Sequence, residues 1–217
     1  MSHGKQFTLY ALKAGPNAWK IVFLLNELGL SYETIYLDFM KGELKAPEYL
    51  KINPNGRVPA LVDHKNGDLT VWESGAILLY LAEKYDTEKK YFATSEADRF
   101  AILQWLFFQV SGQGRVVRFA HFHPEKLPSA IERYQNEIRR VLGVLESILS
   151  KQEWLAAGKL TIADLSFSSW NNELGGIAGP GFDFEKEFPA TFKWHQRILA
   201  VPGVKAGVAL KKELNGY

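Results

Sequence analysis

Glu73 and Ser74 carry a carboxylate and a hydroxyl that could hold an amino-acid head group. They stand at the start of a predicted helix, where free backbone N–H groups and the positive end of the helix dipole favour a bound carboxylate. The Glu73 carboxylate could pair with an α-ammonium group beside it. A plain Ser or Glu helix cap is the alternative interpretation of this pair.

The segment from Arg57 to Ala60 could present its main chain to a peptide ligand. Pro59 opens a predicted strand and has no N–H for the sheet. A cis peptide bond there would turn the N–H and C=O of Val58 outward, where an extended peptide could pair with them as an added strand. An ordinary proline between a loop and a strand is the alternative.

Asn17, after Gly15 and Pro16, could donate its amide N–H to a sulfur atom at the start of the first predicted helix. Lowering a thiol pKa from about 8.5 by two units requires about 2.7 kcal/mol of preference for the thiolate, which a helix terminus and one donor could supply. The alternative is that Asn17 only caps this helix. Tyr10, near the end of the first predicted strand, is a rival donor, and its alternative is a half-buried strand aromatic.

The composition limits the kinds of ligand. The 217 residues include no Cys, so a ligand must bring any sulfur, and disulfides and Cys-type zinc sites are excluded. Lys plus Arg number 26 against 24 Asp plus Glu, a balance that predicts neither a nucleic-acid nor a membrane partner. The first residues lack a secretory signal, so we expect a cytoplasmic protein. We predict no metal site, because His121 and His123 lack a carboxylate cluster.

The elements that position these residues predict an α/β domain over 1–86 followed by an all-α domain over 93–217. In the first domain the order is β-α-β-(α)-β-β-α, and a helical crossover predicts that the first two strands are parallel. Asn66-Gly67 predicts an antiparallel hairpin. Predicted elements are strands at 7–12, 32–37, 58–62 and 69–72, and helices at 17–28, 47–52, 74–85, 96–110, 130–149 and 188–199. Thr161 and Asp164 form a capping-box pattern, and Pro202-Gly203 is expected to end the last helix.

Several segments resemble cytosolic glutathione transferases. They are NPNGRVPAL at 53–61, WESGAI at 72–77, Trp154 and LTIADL at 160–165. The resemblance spans nearly the whole chain. It is nearest to the fungal group related to the yeast nitrogen-catabolite repressor and to the bacterial Nu class, through LDF at 37–39, APE at 46–48, WLFFQ at 105–109 and SG at 111–112.

The resemblance implies a thioredoxin-like first domain, a helical second domain, a homodimer, and glutathione as co-substrate without a metal. It implies that Val58 binds the cysteinyl main chain, that Pro59 is cis, and that Glu73 and Ser74 hold the γ-glutamyl group. It places Asn17 near the sulfur. Arg57 is a further predicted contact on electrostatic grounds.

The glycyl end of glutathione is where the chain departs from this group. The related repressor has a His on the loop after the second strand, and this chain has Leu44 there. Lys41 or Lys45 could substitute for it.

The acceptor site for a second substrate is expected around 111–124, with Phe108, Gly112 and Arg115 as its candidate residues. The glycines should loosen the preceding helix, and the cations that follow could hold a carboxylate of a second glutathione. A solvated basic turn is an equal alternative. The pair Phe107-Phe108 is more typical of a core than of a substrate platform.

We therefore predict an enzyme, a glutathione-dependent transferase or disulfide-bond reductase of the detoxification type. Its second substrate would be a small electrophile, a peroxide, or a disulfide such as glutathione disulfide. The alternative is a non-catalytic module that binds glutathione as a ligandin or regulates a partner.

Overall fold

The computed structural model describes residues 4–113 and 127–216. They form two compact units, one made of the residues up to Thr87 together with those from Val201, the other of the described residues of Glu88–Ala200. No helix in the described ranges is long and apolar enough to cross a membrane.

The first unit is built on a four-stranded sheet in the order β2-β1-β3-β4. The strands are β1 (Phe7–Ala11), β2 (Tyr32–Tyr36), β3 (Ala60–Asp63) and β4 (Leu69–Trp72). Strands β1 and β2 are parallel, whereas β3 is antiparallel to both β1 and β4, as predicted. Strand β3 begins two positions after Val58, because Pro59 has no N–H to enter the ladder.

Three helices accompany the sheet: α1 (Pro16–Glu27), α2 (Pro47–Ile52) and α3 (Ser74–Tyr85). Short 3₁₀ turns lie at Glu43–Lys45 and His64–Asn66. The interpretation of Asn17 as a helix cap is wrong. Gly15 occupies the cap and Pro16 the first helical position, where its fixed φ suits the helix, so Asn17 lies in the first turn.

The strand register brings four chain segments to one edge of the sheet. Ala11 pairs with Tyr36, Tyr10 with Ala60, and Ala60 with Trp72. The ends of β1, β2 and β4 and the start of β3 therefore share this edge. The loops that carry the predicted binding residues leave the sheet here.

The second unit consists of helices in its described part, with no strand there. They are α4 (Glu96–Phe108), a π-helical turn at Gln109–Gln113, α5 (Pro128–Leu149), α6 (Ile162–Asn171), α7 (Leu174–Ile177), α8 (Phe184–Glu187) and α9 (Pro189–Leu199). The capping box of Thr161 and Asp164 is confirmed at the start of α6. The fold class, a thioredoxin-like domain and a helical domain, is confirmed as well.

The last helix, α10 (Pro202–Asn215), packs against α1 in the first unit. Pro202 was expected to end the preceding helix, and it does lie beyond the end of α9, but it also begins this new helix at the first helical position. The predicted second domain, 93–217, includes α10, which in the structure belongs to the first unit.

Candidate functional site

Val58 lies at the shared sheet edge just ahead of β3. The Val58–Pro59 peptide bond is cis, Pro59 is buried and Val58 is half-buried. Within residues 4–113 and 127–216, the main-chain N–H and C=O of Val58 have no backbone partner. These two groups are thus available to pair with an extended peptide.

Side chains hydrogen-bond to the main chain of the loop before Val58 and hold it in place. The Arg57 carbonyl accepts hydrogen bonds from the Tyr49 hydroxyl at 2.6 Å and from Asn53 Nδ2 at 2.7 Å. Asn53 is buried and its Oδ1 also accepts from the Asn55 N–H at 3.0 Å. The main chain just before the cis bond is therefore held in place, while the Arg57 side chain is exposed.

Glu73 and Ser74 begin α3 at the same edge. Glu73 is the N-cap, with φ 72° and ψ 120°, and its side chain is exposed. Ser74 is the first helical residue and is buried. The N–H groups of the first turn of α3 have no acceptor within the helix, so this end suits an anion.

Lys20 is a residue of this site that the sequence did not single out. It lies on α1 and is 1% exposed, and its Nζ donates to Ser74 Oγ at 3.3 Å. Burial lowers the pKa of Lys20 to about 7, and the Glu73 carboxylate opposes that shift. Its neighbours Trp19 and Ile21 are buried as well, and no local sequence pattern distinguishes Lys20 from a solvated lysine.

The two candidate hydrogen-bond donors to a ligand sulfur, Asn17 and Tyr10, lie near the end of β1. Asn17 is half-buried in the first turn of α1. The loop before it is tied down at the Lys13 carbonyl, which accepts from Trp19 Nε1 at 3.0 Å and from Asn215 Nδ2 at 3.3 Å. Tyr10 is half-buried on β1, its ring 5.4 Å from that of Tyr49.

The residues considered for the glycyl end differ in their surroundings. Leu44 is buried. Lys41 lies 3.7 Å from the Asp38 carboxylate. Lys45 Nζ donates to the Asn55 carbonyl at 2.9 Å, so of the two lysines it is the one in contact with the loop that carries Arg57.

Two family models together match most of the chain. The model described as "Glutathione S-transferase, N-terminal domain" matches residues 5–83, and "Glutathione S-transferase, C-terminal domain" matches residues 100–202. The chain belongs to the glutathione transferase family. The predicted family and class of enzyme are thereby confirmed.

Similar proteins come from fungi. Glutathione S-transferase 2 of Schizosaccharomyces pombe is 54% identical over 215 residues, which cover 92% of this transferase chain and 94% of that protein. The transcriptional regulator URE2 of Saccharomyces cerevisiae is 39% identical, and the match covers 91% of this chain and 66% of the regulator. The crystal structure of glutathione transferase URE2P6 from Phanerochaete chrysosporium, in complex with oxidized glutathione, is 57% identical with a TM-score of 0.95, covering 99% of this chain and 100% of that one.

Two of the three predicted acceptor residues of this transferase, Phe108 and Gly112, lie within the described residues. Phe108 is half-buried, and the Arg140 guanidinium lies 5.6 Å from its ring centre. The sequence predicted Phe107 as a core residue. That prediction is wrong, because Phe107 is 67% exposed. Gly112 lies in the π-helical turn, and Arg115, His121 and His123 fall outside the described residues. An open cleft of about 470 Å³ is lined by Ser129, Glu132, Arg133, Asn136, Glu137 and Arg140 of α5. Arg140 thus joins Phe108 to this cleft.

Titratable side chains do not gather into a metal site in the described part of this transferase. No group of three or more His, Asp or Glu side chains there could hold a metal ion.

Proposed function

We propose that the protein binds glutathione at the shared sheet edge and activates its thiol for transfer to a second substrate. The observation that supports this most is the meeting, at one edge, of a main chain open for pairing at Val58, an anion site at Ser74 and an amide donor at Asn17. The relative URE2P6, crystallised with oxidized glutathione, supports the choice of ligand.

Each part of glutathione has a proposed partner. The cysteinyl main chain pairs with the N–H and C=O of Val58 next to cis-Pro59. The γ-glutamyl carboxylate binds the Ser74 hydroxyl and the first N–H groups of α3, and the γ-glutamyl ammonium faces Glu73. The glycyl carboxylate binds the cations Arg57 and Lys45 near the loop.

The chemistry begins with loss of the thiol proton to solvent. The Asn17 amide N–H donates to the sulfur and stabilises the thiolate at the start of α1, where the helix dipole also favours negative charge. The thiolate then attacks an electrophilic carbon, so that a C–S bond forms as the leaving group departs. Catalysis here consists of raising the thiolate fraction and of positioning the sulfur.

A disulfide or a peroxide is the second substrate class that we propose. With a disulfide RS–SG, the bound thiolate attacks the glutathionyl sulfur, glutathione disulfide forms and RS⁻ leaves to take up a proton. With a peroxide, two glutathione molecules become one glutathione disulfide while the peroxide gives an alcohol and water. The chain has no Cys, so the second thiol in each case comes from glutathione and not from the protein. The predicted residues Phe108, Gly112 and Arg115 are the proposed acceptor residues.

The assignment of Asn17 is tested by two matched variants, Asn17→Ala and Tyr10→Phe. We expect Asn17→Ala to raise the pKa of the thiol of bound glutathione by about two units and to lower kcat/KM about 10- to 100-fold at neutral pH. The absorbance of the thiolate measures this pKa. Tyr10→Phe should change neither quantity, since its ring packs against Tyr49. The opposite pattern would assign thiol activation to Tyr10. If neither variant changed the thiol pKa or kcat/KM, neither residue would be the donor to the sulfur.

A regulatory module is the second candidate, because the relative URE2 of S. cerevisiae is named a transcriptional regulator. Steady-state assays with a panel of electrophiles, disulfides and peroxides separate the two functions. Tight glutathione binding without turnover on any of them would favour the module. A cytoplasmic homodimer completes the proposal.

A further inference from the structure

Lys20 is a charged side chain enclosed in the first unit, directly behind Ser74. It is 1% exposed, and its Nζ lies 3.3 Å from Ser74 Oγ. An ammonium group has only donors, so Ser74 Oγ is the acceptor in this contact. The Ser74 hydroxyl hydrogen is therefore turned away from Lys20 and remains available as a donor to a ligand.

Keeping this ammonium buried is costly to the fold. Burial disfavours its charged form and lowers the pKa to about 7, and the carboxylate that opposes the shift, Glu73, is itself exposed. An apolar side chain of similar length would fill the same volume without that cost. A ligand carboxylate at the start of α3 would bring a negative charge close to Lys20 and would offset it.

We propose that Lys20 is a positioning residue for the γ-glutamyl carboxylate of glutathione. Its ammonium orients the Ser74 hydroxyl and supplies positive charge behind the carboxylate. This role rests on the glutathione site proposed above.

The pH dependence follows from the charges around Lys20. Helix α1 packs against α3, α10 and β1. The titratable groups of these elements and the α3 cap are Tyr10, Glu73, Tyr80, Glu83, Lys84, Tyr85, Lys205, Lys211, Lys212 and Glu213. Among them, the Glu73 carboxylate is the group that raises the pKa of Lys20. A bound carboxylate raises it further, so binding takes up a proton, and affinity is highest below about pH 7 and falls as pH rises above it.

The experiment measures the affinity of S-hexylglutathione, which has no thiol, by titration calorimetry. Wild type and Lys20→Met are compared about one unit below and about two units above the Lys20 pKa of about 7. We expect Lys20→Met to bind about tenfold more weakly than wild type below pH 7 and to lose the pH dependence. Lys211→Met, which removes another buried lysine from the same unit, should leave affinity and profile as in wild type.

A second ligand separates the carboxylate from the rest of glutathione. S-hexyl-(4-aminobutyryl)-cysteinylglycine lacks only the γ-glutamyl carboxylate, and wild type and Lys20→Met should bind it equally. An equal loss for both ligands, or no loss for either, would overturn the role of Lys20. If wild type itself does not bind S-hexylglutathione, the glutathione site fails as well, so the two failures are distinguishable.

The thermal stability of Lys20→Met without ligand shows whether this variant folds. The unfolded-state pKa of lysine, 10.5, lies above the folded value of about 7, so between them the unfolded state binds more protons and wild type gains stability as pH rises. Lys20→Met should therefore unfold at a higher temperature than wild type below pH 7, with the difference shrinking above it. A variant less stable than wild type below pH 7 would contradict the proposal, because the buried charge would then serve the fold.

Discussion

At Glu73, the backbone adopts a conformation that glycine accepts and other residues resist. Its φ of 72° with ψ of 120° lies outside the left-handed helical region that non-glycine residues tolerate best. Such conformations cost on the order of 1–3 kcal/mol. The side chain is exposed and caps no N–H of α3, so it does not offset this cost by contacts within the helix. We infer that a carboxylate is retained here for the ligand's ammonium group.

Two substitutions at Glu73 separate the strain from the charge. Glu73→Gly should raise the free energy of unfolding by about 1 kcal/mol, because glycine relieves the strain but gives back some entropy. Glu73→Ala keeps the strain and should give no such increase. Both should weaken glutathione binding several-fold through loss of the carboxylate. Denaturant unfolding and calorimetry check this, and equal stability of the two variants would show that the backbone is unstrained.

The cis bond before Pro59 and the helix start at Ser74 were predictable from short local motifs, whereas the burial of Lys20 was not. The segments around Val58 and Glu73 are recognisable in the sequence because their distinctive residues are adjacent. The cis bond at Pro59 is present in the structure. A lysine in an amphipathic helix is normally expected on the solvated face. The burial of Lys20 depends on contact between α1 and α3, which bring together residues 54 positions apart. No local pattern encodes that contact.

At the scale of elements, the sequence predicted the four strands and most of the helices, but it missed α7, α8 and α10 and some helix and strand ends. Hydrophobic periodicity predicted α3 and α5 because each buries one face, whereas α1 is buried on all sides from Ala18 to Leu25. Turn chemistry was less informative. Gly15 caps α1 without a side chain, and α4 passes into a π-helical turn after Phe108. Pro202 occurs equally well just after one helix and at the start of another.

The contact between α1 and α10 depends on small residues of α10. A Cβ atom at Gly207 would lie 2.6 Å from Phe23 Cδ1, closer than real Cβ contacts allow. Gly207→Ala should therefore lower the free energy of unfolding by about 1–3 kcal/mol, because Phe23 is buried and cannot move aside freely. Urea denaturation measures the change.

Gly143 in α5 is the matched control for Gly207. A Cβ there meets nothing within 4 Å. Gly143→Ala should stabilise the protein by up to about 1 kcal/mol, since alanine has the higher helix propensity. A neutral Gly207→Ala would show that α10 can shift on α1, and the close packing would then not be needed for stability.

At the scale of the whole molecule, α4 presents large apolar side chains to solvent. Phe100 is 52% exposed and Phe107 is 67% exposed, and their spacing of seven residues places them on one face of the helix. Exposed aromatic faces of this kind are typical of interfaces. A second copy of the chain is the occupant that the proposed homodimer requires.

Replacing Phe107 with a charged residue tests this dimer. Phe107→Asp should weaken self-association by roughly 2–4 kcal/mol, because it removes an aromatic anchor and places a charge in an apolar contact. The fold should survive, since the side chain is mostly exposed. Size-exclusion chromatography with light scattering should show a dimer for wild type and a monomer for the variant. Ile35→Ser on β2, where Ile35 is 40% exposed, is the control and should remain dimeric. A monomeric wild type would end the homodimer proposal, and a dimeric Phe107→Asp variant would move the interface away from α4.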